Sequence, residues 1–213
     1  NTFTDAAGER VHTLHTTVVG VTSDDINPAV KEAVSKMMMH DMDIMAVGEG
    51  AYEKTLRPAG DVRIADGVMK RTPGTASFED MKVGDELPVH HTRLSRGDLV
   101  NHAGVAGDAN PIHWDESIAK LAGLPDVIAH GMLTMGLGAG FVSDWSGDPG
   151  AVTRYAVRLS APAVVSAADG ADIEFSGRIK SLDPETRTGV VLLAAKSDGR
   201  KIFGLATLDV RFR

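Results

Sequence analysis

The run Ala129–Val142 constrains the fold of this chain more than any other feature. It is apolar on every side of a predicted helix, yet it carries four glycines. A helix without a polar face is buried, and each glycine costs about 1 kcal/mol in a helix interior. We therefore expect other backbone to pack very closely here, as it would in a sheet wrapped around this helix.

The chain beyond this helix predicts an antiparallel sheet. The turn dipeptides Asp169-Gly170, Asp183-Pro184 and Asp198-Gly199 separate apolar segments, and strands joined by short turns pair in antiparallel fashion. An earlier strand is predicted over Glu86–Leu94. The predicted fold class is α+β, with an antiparallel sheet around one long buried helix. The later strands are predicted at 152–161, 171–182, 188–197 and 201–212.

Composition excludes several classes of function. The 213 residues include 29 acidic and 22 basic ones, a net charge of −7, which argues against a nucleic-acid surface. Without cysteine, neither disulfides nor thiolate chemistry is available. No apolar run reaches the length of about 18 residues that a membrane span needs. The sequence opens on Asn1 without a signal-peptide pattern, so we expect a processed chain or part of a longer one, located in the cytosol.

A second feature carries the chemistry. Asp108 and His113 stand on either side of the Asn110-Pro111 dipeptide, where proline cannot continue a helix and disfavours helical backbone before it. A helix opened by Ser95, with Asp98 completing an approximate capping box, is predicted to end at this break. The turn can then direct the carboxylate and the imidazole at one point, as an acid–base pair acting on a single water requires.

These blocks resemble a known family. Ala106–His113, with Ala119 at the expected spacing, followed by Ile128–Gly136, is similar to the MaoC-like hydratase/dehydratase family. The resemblance covers about residues 77–213 and implies the hot-dog fold. Together with Asp98–Asn101, Asn110–Asp115 and Lys201–Gly204, it is nearest in pattern to the β subunits of mycobacterial (3R)-hydroxyacyl-acyl-carrier-protein dehydratases.

The resemblance implies chemistry between a trans-2-enoyl thioester and a (3R)-3-hydroxyacyl thioester. Asp108 and His113 would be catalytic and hold the water, and which is acid and which is base is left open. The backbone N–H of Gly131, at the positive end of the buried helix, would stabilise negative charge on the thioester oxygen. Asn110 has a secondary role, in shaping the turn or contacting the water.

Substrate contacts are predicted at His130, Met132, Arg154 and Arg158. The two arginines belong to a set of basic residues on the last strands, which either bind the phosphates of coenzyme A or an acidic carrier protein or are ordinary solvated strand faces. No cofactor and no metal are expected, because His90-His91 lacks partners at metal-ligand spacing.

Residues 1–76 are predicted to form an N-terminal extension to the domain at 77–213. A strand is expected over Arg10–Val21 and a helix from Pro28 to about Val47. The extension is either the end of a preceding hot-dog unit with its linker or a segment that packs on a homodimer. In both cases the domain is expected to pair, as a homodimer or with a second hot-dog unit.

The predicted function is therefore a hydro-lyase, foremost the (3R)-hydroxyacyl-acyl-carrier-protein dehydratase of type II fatty-acid elongation. An (R)-specific enoyl-coenzyme A hydratase is the alternative within the same chemistry. A thioesterase is disfavoured by the intact Asp-x-Asn-Pro-x-His motif. A unit that only binds acyl thioesters or supports a partner is the alternative of a different class.

Overall fold

The structure is a computed structural model that describes residues 2–4, 7–8, 10–13, 26–37 and 76–213. In the N-terminal part, β1 (Thr2–Thr4) pairs antiparallel with β2 (Arg10–Thr13), and α1 (Pro28–Met37) follows. The remainder of the predicted strand and helix, at 14–21 and 38–47, lies outside the described residues. Helix α1 contacts the short helix α3 (Glu116–Leu121).

The predicted antiparallel sheet is confirmed. Its strands are β3 (Glu86–Leu94), β4 (Val152–Leu159), β5 (Ala171–Asp183), β6 (Thr188–Ser197), β7 (Arg200–Lys201) and β8 (Phe203–Arg211). In space they are ordered β3-β5-β6-β8-β4, with the short β7 beside β6, and every pairing is antiparallel.

The central helix α4 (Gly131–Ser146) lies against this sheet. Strand β6 alternates buried and half-buried residues along its whole length, as a strand with one face on the core does. Phe175 on β5 is fully buried between the rings of Phe141 on α4 and Phe203 on β8, with centroids 6.2 and 6.3 Å away. This apolar layer holds the helix on the sheet.

The glycines of α4 correct one expectation. A Cβ at Gly138 would lie 2.9 Å from Leu193 Cδ2 and from the Tyr155 hydroxyl, whereas Gly136 and Gly140 have no such neighbour within 4 Å. The close neighbours are therefore side chains, not backbone as predicted. The helix is also not covered on every side, because an exposed stripe runs along Met132, Gly136, Gly140 and Asp144.

Helix α2 (Arg96–Ala106) begins and ends as predicted. Ser95 Oγ accepts from the Asp98 N–H, and Asp98 Oδ2 accepts from the Ser95 N–H at 2.7 Å, which completes the capping box. The helix ends at Gly107, whose φ of 68° is the left-handed conformation that glycine adopts readily. The two caps therefore fix where α2 ends and, with it, the position of Asp108, the next residue after Gly107.

Two strands end differently from the prediction. Strand β4 stops at Leu159, since Ser160 and Ala161 leave the ladder before Pro162, which has no N–H to donate. The last predicted strand is divided into β7 and β8 by Ile202, whose carbonyl accepts from the Ser160 N–H at 2.9 Å. Both changes occur at one corner of the sheet.

Two Asp-Gly turns provide a matched test of packing. Gly170 and Gly199 both have left-handed φ, 68° and 72°, but a Cβ at Gly170 would lie 2.2 Å from the Leu94 carbonyl oxygen, while Gly199 has open space. Alanine at Gly199 should cost about 1–2 kcal/mol of backbone strain. Alanine at Gly170 should cost about 1–3 kcal/mol more, because backbone must move. Urea unfolding of the two variants measures this difference, and equal losses would contradict it.

Candidate active site

The turn after α2 is shaped by its own side chains. Asp108 Oδ1 accepts from the Asn110 N–H, and Asn110 Oδ1 accepts from the Ile112 N–H, each at 3.3 Å. Pro111 is the first residue of a 3-10 turn, Pro111–His113. An N–H at this first position has no partner within the turn, so proline costs no hydrogen bond here. Asn110 therefore holds the turn, while a contact of Asn110 with the reacting water stays a prediction.

His113 is fixed by one strong contact. Its Nδ1 lies 2.7 Å from the carbonyl oxygen of Ile128, and since a carbonyl only accepts, Nδ1 must carry the hydrogen. In its neutral form the ring would therefore present a lone pair at Nε2. The side chain is buried, with 7% of its surface exposed.

The structure brings Asp108 and His113 together. A carboxylate oxygen of Asp108, a ring nitrogen of His113 and a ring nitrogen of His130 all lie within 4.8 Å of one another. Asp108 is half-buried, whereas both imidazoles are buried. The site is therefore one carboxylate in front of two imidazoles.

His130 supports this pair from behind. Its ring stacks on His113 with centroids 3.8 Å apart and planes inclined by 24°, and its Nε2–H donates to the Asp108 carbonyl oxygen at 3.4 Å. The ring has no exposed surface. Burial first, and the neighbouring His113 second, lower the pKa of His130 below its ordinary value, so the ring is neutral near pH 7. The ring thus contacts the two catalytic candidates, and its predicted contact with substrate stays a prediction.

A cavity of about 310 Å³ opens beside His113. Gly131, the first residue of α4, lies on its wall, as do Thr134 and Ile128. The N–H groups of a first helical turn have no partner inside the helix, so the Gly131 N–H is available to an oxygen in the cavity. A Cβ at this position would lie 2.3 Å from Leu159 Cδ1, so any other residue at 131 would displace the Leu159 side chain.

Sequence reasoning missed the opposite wall. It consists of the segment 159–163, where β4 leaves the sheet, together with Ile202. The signal that was available is Pro162, because a proline just beyond an apolar strand marks the point where the chain departs from the ladder. The partner segment at 202 shows no comparable signal.

The remaining predicted contacts are spread out. Met132 is 48% exposed and does not line the cavity. Arg158 is exposed and immediately precedes Leu159 of the wall. Arg154 lies four residues earlier on β4, about 13 Å away along the strand. The basic residues of the last strands do not form one cluster, since β6 and β8 separate β5 from β4 and Lys196 pairs with Glu174.

The geometry of the two imidazoles does not suit a metal ion. Asp108, His113 and His130 are, among the described residues, the group whose donor atoms come close enough to be considered. The two rings are nearly parallel, so the in-plane lone pairs of His113 Nε2 and His130 Nδ1 do not converge at the ~2.1 Å that zinc–nitrogen bonds require. The residues present therefore fit a water-holding site better than a metal centre.

Replacing His130 by Gln should weaken the dependence of stability on pH. The unfolded chain takes up a proton here as the pH falls through the ordinary pKa of 6.5, whereas the folded protein resists it. The neutral ring's contribution is therefore complete above that pH and is lost progressively below it. Tm measured from about pH 8 to about pH 5 should fall less in His130→Gln than in the wild type.

The exposed His90 provides the control for this measurement. His90→Gln should retain the wild-type pH dependence of Tm. Equal slopes for the wild type and His130→Gln would show that the buried ring makes no such contribution.

Comparison with known sequences identifies a matching protein family. The family model described as "MaoC like domain" matches residues 75–193. The chain is 40% identical over 83 residues to 3-hydroxyacyl-thioester dehydratase X of Mycobacterium tuberculosis H37Rv, which covers 39% of this chain and 29% of that protein. It is 32% identical over 111 residues to the 3-hydroxybutyryl-CoA dehydratase of Methylorubrum extorquens AM1, covering 52% of this chain and 68% of that one.

A solved structure described as a MaoC-like dehydratase is 74% identical to this chain and superposes with a TM-score of 0.81. The match covers all of this chain and 63% of that one. This chain thus spans less than two thirds of the length of that protein, and under a third of dehydratase X. No helix in the described parts of the chain is both long and apolar enough to cross a membrane.

Proposed function

This chain belongs to the MaoC-like domain family, and we propose that it adds water reversibly to trans-2-enoyl thioesters to give (3R)-3-hydroxyacyl thioesters. The observation that carries the proposal is the approach of Asp108 and His113 to within 4.8 Å. Two acceptors that share one water at about 2.8 Å each are separated by about 4.5 Å. The spacing therefore suits a single water held between them.

The tautomer of His113 suggests how the protons move. In hydration, Nε2 accepts a proton from the water as the water oxygen bonds to C3, and Asp108 accepts a hydrogen bond from the other hydrogen. The imidazolium then returns a proton to C2 as the enolate collapses, so the ring ends neutral. Dehydration retraces these steps, with Nε2 removing the C2 proton and protonating the departing hydroxyl.

The oxyanion formed at the thioester carbonyl needs a donor. The Gly131 N–H supports this role because it borders the same cavity as His113 and stands at the positive end of α4. Leu159 closes the space above its Cα, which keeps that position free of a side chain. Met132 and Arg154 remain proposals as substrate contacts, and Arg158, beside the cavity wall, is the better placed of the two arginines.

The acyl carrier is proposed to be acyl-carrier protein, with a role in fatty-acid elongation. Coenzyme A is the alternative, which the name of the Methylorubrum relative supports. Comparing kcat/KM for crotonyl-coenzyme A with that for the crotonyl carrier protein separates the two. Release of free thiol would instead indicate a thioesterase.

We also propose that 77–213 is the catalytic domain, that 1–76 extends it, and that the domain pairs with a copy of itself or with a second hot-dog unit. Strand β4 is one of the two edge strands of the described sheet, with β3 at the other edge. Leu159 at its end and Leu205 on the adjacent β8 are 48% and 62% exposed, which supports a covered position in a pair. A cytosolic location stays a prediction.

Asp108→Asn and His113→Ala should each lower hydration of an enoyl thioester by about a hundredfold or more, since each removes one of the two groups that hold the water. Loss of absorbance of the conjugated enoyl thioester measures the rate. The exposed pair His91–Asp172, 2.7 Å apart on β3 and β5, provides matched controls. His91→Ala and Asp172→Asn should retain the wild-type rate.

Wild-type rates in folded Asp108→Asn and His113→Ala would reject the lyase mechanism and favour a unit that only binds thioesters or supports a partner. Circular dichroism and Tm establish that each variant is folded.

Gly131→Ala should lower kcat by about tenfold or more, because the methyl group would push Leu159, which lines the same cavity, out of its position beside the bound thioester. Gly136→Ala, on the same helix with no neighbour within 4 Å, should leave kcat unchanged. Equal rates for the two variants would show that Leu159 and the start of α4 need no fixed relation for the reaction.

A further inference from the structure

We propose that Arg96 is a positioning residue that holds the hydrogen bond between His113 and Ile128 in place by joining three separate segments around the site. Its Nη2 donates to Glu116 Oε2 at 3.0 Å and makes a short contact with Asp126 Oδ1, while its Nε donates to the Val165 carbonyl oxygen at 3.3 Å. We call Arg96, Glu116 and Asp126 the arginine clamp.

The position of Arg96 in α2 indicates that it serves something other than its own helix. It is the first helical residue, where a cation opposes the helix dipole. The side chain is only 27% exposed, and that of Asp126 only 20%. The ion pairs with Glu116 and Asp126 offset the unfavourable interaction with the helix dipole. Arg96 therefore stabilises the segments that carry these two carboxylates rather than its own helix.

Each of these contacts leads directly to the site. Glu116 opens α3, three residues after His113. Asp126 Oδ1 also accepts from the Val127 N–H at 2.7 Å, which fixes the chain just before Ile128. Ile128 donates its N–H to Ile112 at 3.2 Å and accepts from His113 Nδ1–H.

The third contact fixes the neighbouring segment. The Val165 N–H donates to Val127 O at 2.9 Å and the Ala129 N–H to Ala163 O at 2.8 Å. The segments 127–129 and 163–165 are therefore paired backbone to backbone, and Arg96 bonds to Val165 in the second and to Asp126 immediately before the first. Because Ala163 lines the cavity and Gly131 follows Ala129 closely, one guanidinium sets the relation of the His113 turn, the start of α4 and the cavity wall.

Arginine is required for this geometry. Its planar group presents several N–H donors in fixed directions, so it can bond two carboxylates and a carbonyl at once. Lysine keeps the charge but concentrates it at one nitrogen on a flexible stem. Compared with Arg96→Met, which lacks both the charge and the donors, Arg96→Lys should therefore regain more of the wild-type stability than of the wild-type activity.

The test compares Arg96→Met with Arg187→Met in the full chain. Arg187 also joins distant segments, through Glu79 and the Arg213 carbonyl, but it bonds none of the segments that carry the site. The kinetic part of the inference rests on the proposed function. With an enoyl thioester, Arg96→Met should lower kcat by about ten- to a hundredfold with a smaller change in KM, while Arg187→Met lowers Tm and leaves kcat unchanged.

A second readout does not require activity. In the wild type the Nδ1–H of His113 should give a protected imidazole proton signal in NMR, because it is buried and bonded to Ile128. Arg96→Met should broaden or abolish that signal, Arg96→Lys should retain part of it, and Arg187→Met should leave it intact.

The outcomes separate the two proposals. A wild type that does not hydrate enoyl thioesters contradicts the proposed function but leaves the NMR comparison decisive for the clamp. An unchanged His113 signal in Arg96→Met, or equal losses of kcat in Arg96→Met and Arg187→Met, would overturn the positioning role. If Arg96→Met fails to fold, the same measurements on Arg96→Lys and Asp126→Asn decide.

Discussion

The site depends on the hydrogen bond from His113 Nδ1 to the Ile128 carbonyl. This 2.7 Å contact selects the tautomer, orients the ring and joins the turn after α2 to the segment that leads into the central helix. Without it, the turn that carries both Asp108 and His113 would move independently of the segment that leads to Gly131. The fold places Ile128 there because 127–129 pairs with 163–165, at the edge of the apolar layer beneath α4.

Local signals in the sequence predicted the parts of the fold that local chemistry controls. The capping box at Ser95 and the Asp198-Gly199 turn are each determined by a few adjacent residues, and the structure places them as expected. The turn at Asp169-Gly170 does not join paired strands as predicted, because β4 and β5 are not neighbours in the sheet. The meeting of Asp108 and His113 was predicted because the proline break between them restricts the backbone to a turn.

Contacts between distant segments were not predictable in the same way. The partner of His113 is a backbone carbonyl, which has no residue-type signature, and the cavity wall at 159–163 depends on an interruption at Ile202. The contacts of Arg96 also lack a local signal, since Glu116 and Asp126 lie 20 and 30 residues away along the chain. The expectation about α4 failed for a related reason, since composition cannot distinguish a glycine beside Leu193 from one that faces open space.

The corner at which β4 and β8 part has a consequence for how the shape of the cavity can vary. Residues 160–163 border the cavity but lie outside the ladder, tied to the rest by the bonds of Ser160 to Ile202 and of Ala129 to Ala163. Side chains there can be exchanged without shifting the register of any strand. Under the proposed function, the preferred acyl group can therefore change through this corner while Asp108 and His113 keep their arrangement.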